Sequence, residues 1–224
     1  MRIGVIAEGH ADIAVIRAVL KALKGIDGSD IVAVRPSELY DETDLHAMNF
    51  SNWKLQSCGD EALLQSFFDG LDEEALLIVQ IDTAERAEAG YDIVSPLREK
   101  EADWRSYSKQ VYDAVKERMM SVIPEGYKEK MIYAIAIEET DAWLIPLFDR
   151  VSQDTAQYAN PKEHLRKLVG KMDKGKRIKY VNTAKKNLDY VAIAKGMRKE
   201  LDRCREKNFS LNLFCIDIER LMQR

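Results

Sequence analysis

Three uninterrupted apolar runs, "RIGVIA" (2–7), "ALLIVQID" (75–82) and "MIYAIAI" (131–137), each end on acid: Glu8, Asp82, and the group Glu138, Glu139 and Asp141. A continuous apolar run without alternation suits a strand buried on both faces, and such strands belong to parallel sheets sandwiched by helices. "DIVAVRP" (30–36) is a further short strand, closed by Pro36. Between the runs lie helical patterns. "HADIAVIRAVLKAL" sets Ile13, Ile16, Val19, Leu20 and Leu23 at helical spacing and stops at Gly25 and Gly28. "DEALLQSFFDGL" and the long "ADWRSYSKQVYDAVKERMMSVI", ended by Pro124 and Gly126, read the same way, and the polar stretch 37–52 reads as a loop. The alternation predicts an α/β domain: a mainly parallel central sheet with helices on both faces, of Rossmann-like type.

After Asp149 the pattern changes. "NPKEHLRKLVGKM", "TAKKNLDYVAIAKGM", "RKELDRCREKN" and "SLNLFCIDIERLMQR" all read as helices, with no strand among them. The expected organisation is an α/β domain over 1–150 and a basic helical extension over 151–224 packed on the sheet. Charge follows the same division. From Asn160 to Lys207 there are 16 Lys or Arg against 6 Asp or Glu, a balance of +10 in a chain whose formal net charge is −4. Such a block is either a solvated helical face or a surface for a phosphate backbone, since clustered Lys and Arg displace counterions from a polyanion. Lys174, Lys176, Arg177 and Lys179 are its densest part and the candidate nucleic-acid contacts.

Other classes find little support. The longest apolar runs, such as "ALLIV" (75–79), fall far short of the roughly 20 residues a membrane span needs, and "MRIGVIAEGH" reads as a first strand rather than a signal segment. A cytoplasmic protein with no membrane partner is expected. Cys58, Cys204 and Cys215 are odd in number and lack CxxC spacing, so they read as buried thiols rather than disulfides or zinc ligands. Neither GxxxxGK[ST] nor GxGxxG occurs, which removes the usual phosphate cradle of a nucleotide-binding phosphotransferase.

Ligands of open parallel sheets sit beyond the carboxyl ends of the strands. Glu8, Asp82 and the 138–141 group all fall at that end, so acids distant in sequence are expected to meet. A single acid there is explained by capping the next helix. Several together are costly unless a cation or a network of donors compensates them. Oxygen-only donors suit Mg²⁺ or Mn²⁺, ions that commonly assist phosphoryl chemistry.

"VIAEGHAD", with Glu8, Gly9 and Asp12 in the order EGxxD directly after a strand, resembles the first motif of the TOPRIM superfamily, the metal-binding domain shared by topoisomerases, bacterial primases and OLD-family nucleases. "LLIVQID", ending at Asp82, is similar to the second motif, and "AIAIEETDAWLIPLF" followed by "NPKEHLRKL" resembles a branch of small bacterial TOPRIM-like proteins with an acid-x-Trp-Leu segment and a later Pro-Lys element. The resemblance implies a metal-dependent nucleic-acid phosphodiesterase, of a kind that related families use in defence against mobile elements. It implies catalytic roles for Glu8, Asp82 and Asp141, with Glu8 as general acid or base. It implies Mg²⁺ or Mn²⁺ held among Glu8, Asp82 and Asp141, with Glu139 and Glu85 as further oxygen donors. Gly9 then allows a tight turn and close approach of a phosphate, and Lys162 reaches the phosphates. Ala84 stands where the second motif carries another aspartate. This departure leaves open a site with one metal, or a catalytically inactive module that binds nucleic acid or a partner protein.

Two aromatic or imidazole candidates read as structural. Trp143, set among Leu144, Ile145, Leu147 and Phe148, is expected in the core, and His164 on the helix surface; His10 lies inside the motif-one turn without being required by it.

Overall fold

A computed structural model describes residues 1–36, 53–69, 74–99, 103–182, 184–185 and 187–221. The loop read over 37–52 lies outside the described residues. The four apolar runs form β1 (Arg2–Ile6), β2 (Ile31–Arg35), β3 (Ala75–Asp82) and β4 (Met131–Ala136), all parallel, in the order β2-β1-β3-β4. This is the expected α/β architecture. From β1 the chain steps outward to β2 and then returns to β1's other side with β3, so the strand order reverses between β1 and β3. At such a reversal the loops leaving the two strands diverge and open a crevice.

Helix α1 (His10–Lys24) links β1 to β2, and its last turn ends on Gly25, whose φ of 66° is left-handed and whose N–H returns to the Lys21 carbonyl. Its apolar stripe, Ile13, Val15, Ile16, Val19 and Leu20, packs on the sheet face formed by Ile3, Val5, Ile78, Ile132 and Ala134. The opposite face, with Leu77, Val79, Ile81, Tyr133 and Ile135, is covered by α2 (Trp53–Gly59), α3 (Glu61–Phe68) and α4 (Trp104–Val122). The period-two alternation of these two sets is hidden in the sequence because both faces are dry. Gly4 is required by packing on the α3 side: a Cβ there would come within 2.6 Å of the Phe67 ring and 2.7 Å of Leu77 Cδ1.

The C-terminal part supplies α5 (Asp141–Leu144), α6 (Pro161–Gly170), α7 (Lys174–Arg177), α8 (Tyr190–Ala194), α9 (Met197–Lys207) and α10 (Phe209–Leu221). One expectation fails here. The segment 183–197 is not one helix: Val181–Asn182 and Asn187–Leu188 pair as a short antiparallel ladder, β5 and β6, and helix begins only at Tyr190, capped by the Asp189 carboxylate on Ala192 N–H. Asn182 explains the break. Its side-chain oxygen accepts from both Ala184 N and Lys185 N, giving the backbone a turn in place of helix.

Helices α8, α9 and α10 pack against α1 in the same apolar core as the sheet, and α10 lies along β4. A helix there covers the sheet edge that β4 would otherwise expose. Trp143 is fully buried in this core, its indole N–H donating to Ser210 Oγ at 3.0 Å and its ring stacked on Phe214 with centroids 5.5 Å apart. It is the structural tryptophan that its apolar neighbours suggested. Cys58, Cys204 and Cys215 are likewise buried as thiols, and burial pushes each up to about 12. Among the described residues no helix is long and apolar enough to cross a membrane.

Candidate functional site

The crevice between β1 and β3 is organised by one buried amide. Gln80 sits on β3 two residues before Asp82, so both side chains emerge on the α1 face. Its oxygen accepts Glu8 N–H at 2.9 Å, and its nitrogen donates to Asp82 Oδ1 at 2.6 Å and to Thr140 Oγ1 at 2.9 Å. Three elements are thereby fixed together: the end of β1, the end of β3 and the loop after β4. The Glu8 backbone and the Asp82 carboxylate are thus bound to the same amide.

Asp82 Oδ1 also accepts Thr140 N–H and Thr140 Oγ1, both at 3.0 Å. With three donors on one oxygen, Asp82 holds the 138–141 loop in place. The Thr140 hydroxyl also lies close enough to Asp12, in the first turn of α1, to favour its ionised form. One hydroxyl carries one proton and two lone pairs. Its proton faces the Asp82 and Asp12 carboxylates, and Gln80 Nε2 fills one lone pair.

Asp12 is the residue in which the cluster's charge is concentrated. Withdrawal from solvent, and then the neighbouring Glu8 and Asp141 charges, push it from 3.8 up to about 7, against the lowering effect of its hydrogen bonds to Thr140 and Gly9 N–H. Asp141, the first residue of α5 and 7 % exposed, is pushed up to about 6 by burial and by Glu139, partly offset by the Tyr190 hydroxyl at 2.7 Å and by Lys162. The Tyr190 phenol is itself held far above its usual range, first by burial and then by Asp141, Asp12 and Glu139. Glu8, Asp12, Asp141 and Glu139 thus share one field, with Tyr190 among them.

The remaining acids have other occupations. Glu138 does not join the cluster. Its backbone takes φ 62°, its N–H bonds Thr83 Oγ1, and its side chain turns to the opposite face. There Oε1 accepts Arg98 Nη1 at 2.7 Å and Tyr107 OH at 2.9 Å, and Arg86 lies 4.0 Å from Oε2. Glu139 caps α6, accepting Lys162 N–H at 2.9 Å. Glu85 lies in the turn after β3, half-buried, its carbonyl accepting Glu88 N–H. Ala84 is exposed in the same turn.

Gly9 is not demanded by the fold. Its φ of −155° is extended, and a Cβ would meet only Asp12 Oδ2, at 3.8 Å. The tight turn expected of it is therefore not what this position needs. His164 is neither free surface nor part of the cluster: it stacks on Tyr158 with ring centroids 3.9 Å apart. Lys162 is exposed at the N-terminus of α6, near enough to Asp141 to lower it. Lys174, Lys176, Arg177 and Lys179 are all exposed on and after α7. That segment reaches the cluster through the ladder: Tyr180 O accepts Asp189 N–H at 2.9 Å, and Tyr190 follows.

Among the described residues no three His, Cys, Asp or Glu side chains converge on one point as a ready-made metal site. The carboxylates are neighbours beyond the ends of β1 and β3, and Asp12, Asp82, Asp141 and Glu139 each already hold a donor. Gln80, Thr140 and Tyr190 carry no motif and were not marked by the sequence. Asp12 was marked only as part of EGxxD. Comparison of the chain with protein-family models, with curated proteins and with solved structures found no match.

Proposed function

We propose that the chain is a divalent-cation-dependent nucleic-acid phosphodiesterase of TOPRIM-like type, with Mg²⁺ or Mn²⁺ at the β1/β3 crevice. The observation that carries this reading is the contrast between Glu138, matched by two arginines, and Asp12, which faces two further carboxyl groups and sits near 7. Carboxyl groups gathered at a strand-order reversal suit a hard cation, and oxygen donors of this kind would suit Mg²⁺ or Mn²⁺ rather than zinc. No three of these side chains converge as they stand; Glu8, Asp12 and Asp141, with Asp82 and Gln80 positioning them, would have to draw together to hold the ion. The ion supplies Lewis-acid stabilisation of charge developing on a phosphate.

The remaining chemistry belongs to the chain. Glu8, at the open end of β1, is the residue to take a proton from an attacking water. Lys162 offers its ammonium to a phosphate oxygen at the mouth of the crevice. Lys174, Lys176, Arg177 and Lys179 track the backbone beyond it. The open space at Gly9 lets a phosphate approach the first turn of α1.

The test is cleavage of labelled DNA and RNA in Mn²⁺ or Mg²⁺. The reading expects turnover that Glu8→Gln and Asp141→Asn abolish while binding persists. Equal cleavage by those variants refutes it. A second reading, a nucleic-acid-binding module without turnover, is favoured by the exposed methyl of Ala84 where an acid is expected. It predicts salt-sensitive binding and no cleavage in any divalent ion.

A further inference from the structure

Resting on the nucleic-acid part of that reading, we propose that the β5–β6 hairpin enters the major groove of B-form duplex DNA while Lys174, Lys176, Arg177 and Lys179 hold the flanking phosphates. The charges come first. None of Lys174, Lys176, Lys179 and Lys185 has a carboxylate partner among the described residues, and Arg177 donates to the Gly170 carbonyl at 3.4 Å rather than to an acid. Surface cations elsewhere are neutralised: Lys109, Lys128, Lys167 and Lys207 each pair with a neighbouring acid. The exposed cations of 174–185 therefore repel one another in the free chain, and a phosphate backbone relieves that repulsion.

Shape then selects the form of nucleic acid. Leu188 is buried in the main core while Asn182, Ala184, Lys185 and Asn187 are exposed, so the hairpin is rooted at its base and projects at its turn. It is also preformed. Asn182 Oδ1 accepts Ala184 N–H and Lys185 N–H, both at 3.1 Å, Tyr180 O accepts Asp189 N–H at 2.9 Å, and the Tyr180 ring packs edge-on against Phe148 with centroids 5.2 Å apart. A ribbon fixed before binding loses little freedom on docking. From the Tyr180–Asp189 pair to the Asn182–Asn187 pair the strands rise about 7 Å, and the turn adds to that reach. The major groove of B-DNA, about 12 Å wide and about 8.5 Å deep, admits such a ribbon, whereas the A-form major groove of duplex RNA is too narrow. Asn187 is exposed at the outer end of β6 with no side-chain partner among the described residues, and a free amide is the group that pairs with adenine N6 and N7.

A single strand is the poorer fit. Sequence-tolerant single-strand grips stack bases on exposed aromatic rings. Both tyrosines of this segment are engaged elsewhere and neither is exposed: Tyr180 packs on Phe148, and the Tyr190 hydroxyl donates to Asp141 Oδ1 at 2.7 Å. The lysines grip any phosphate chain; the hairpin distinguishes one from another.

The experiment measures binding of the full chain by fluorescence anisotropy in EDTA, so that neither cleavage nor a divalent ion enters, to a labelled DNA duplex, its single strand and an RNA duplex of the same sequence. The DNA duplex should bind tighter than either by at least about fivefold. Lys185→Ala combined with Asn187→Ala, both exposed and outside the core, should bring that factor toward one. Methyl green, a major-groove ligand, should displace the chain from the duplex, and distamycin, a minor-groove ligand, should not. A single strand or RNA duplex bound as tightly as the DNA duplex, an unchanged preference in the double variant, or displacement by distamycin and not by methyl green overturns this inference and leaves the functional reading standing. No binding to any of the three at low salt, with or without Mg²⁺, overturns the functional reading, and this inference with it.

Discussion

Asp12→Asn isolates the charge that organises the site, because asparagine has the shape of a protonated aspartate, keeps an oxygen for Gly9 N–H and offers an N–H to Thr140. The wild-type carboxyl moves from 3.8 in the unfolded chain to about 7 in the fold. The folded state therefore binds a proton more tightly than the unfolded state between those values, and stability falls as pH rises through that window. Below about pH 4 both states are protonated and no penalty exists; above about pH 7 the penalty is complete. A shift of about 3 units corresponds to ~4 kcal/mol. Asp141 titrates in the same field and shares the shift, so about 2 kcal/mol is the expected share of Asp12 alone. Urea unfolding at pH 5 and pH 8, without divalent ions, reads this directly. The variant should exceed the wild type by under about 1 kcal/mol at the lower pH, where roughly a third of the penalty has developed, and by about 2 kcal/mol at the higher, with a flatter pH dependence. A variant equal to or less stable than the wild type at pH 8 would show that Asp12 carries no uncompensated charge.

Glu138→Gln leaves the half-buried Arg86 and Arg98 without their carboxylate, so a loss of about 2 kcal/mol in urea unfolding is expected, with Mn²⁺ affinity preserved. Trp143→Ala removes the stacked, hydrogen-bonded centre of the α5–α10 contact, and differential scanning calorimetry should report a loss of about 3–5 kcal/mol. Gly4→Ala collides with Phe67 and Leu77 and should cost about 1–3 kcal/mol, a cost relieved when Phe67 is shortened to leucine in the same chain. Charge reversal at Lys174, Lys176, Arg177 and Lys179 should flatten the salt dependence of single-strand binding by about 2–3 in log–log slope, measured by fluorescence anisotropy.

The strands were legible because a run such as "ALLIVQID" has only one comfortable place, the middle of a sheet dry on both faces. Where acids gather was legible for the same reason, since parallel strands all deliver their carboxyl ends to one side. The division of labour among those acids was not. Glu138 and Glu139 are adjacent, yet the left-handed backbone at Glu138 sends its side chain to Arg86 and Arg98 on one face of the sheet while Glu139 caps α6. Local sequence offers no sign of that turn. Tyr190 lies 49 residues from Asp141, and Gln80 reads as a polar blemish in an apolar strand until it is seen to link three loops. The β5–β6 ladder was missed because two residues per strand leave no periodicity, and Lys- and Asn-rich sequence around it resembles an exposed helix. Asp12 stands out in the sequence only as the last residue of EGxxD; its place among the acids comes from the company that β1 and the 138–141 loop bring to it.

The claim beneath all of this is that the β1/β3 crevice is built around a positive ion. Calorimetric titration of Mn²⁺ into the wild-type chain at pH 8, beside Glu8→Gln, Asp141→Asn and Glu138→Gln, tests it most directly. Binding in the wild type and in Glu138→Gln, with loss in the other two, is the predicted pattern. Heat that is absent in the wild type, or that survives at full strength in Glu8→Gln and Asp141→Asn, would contradict the account.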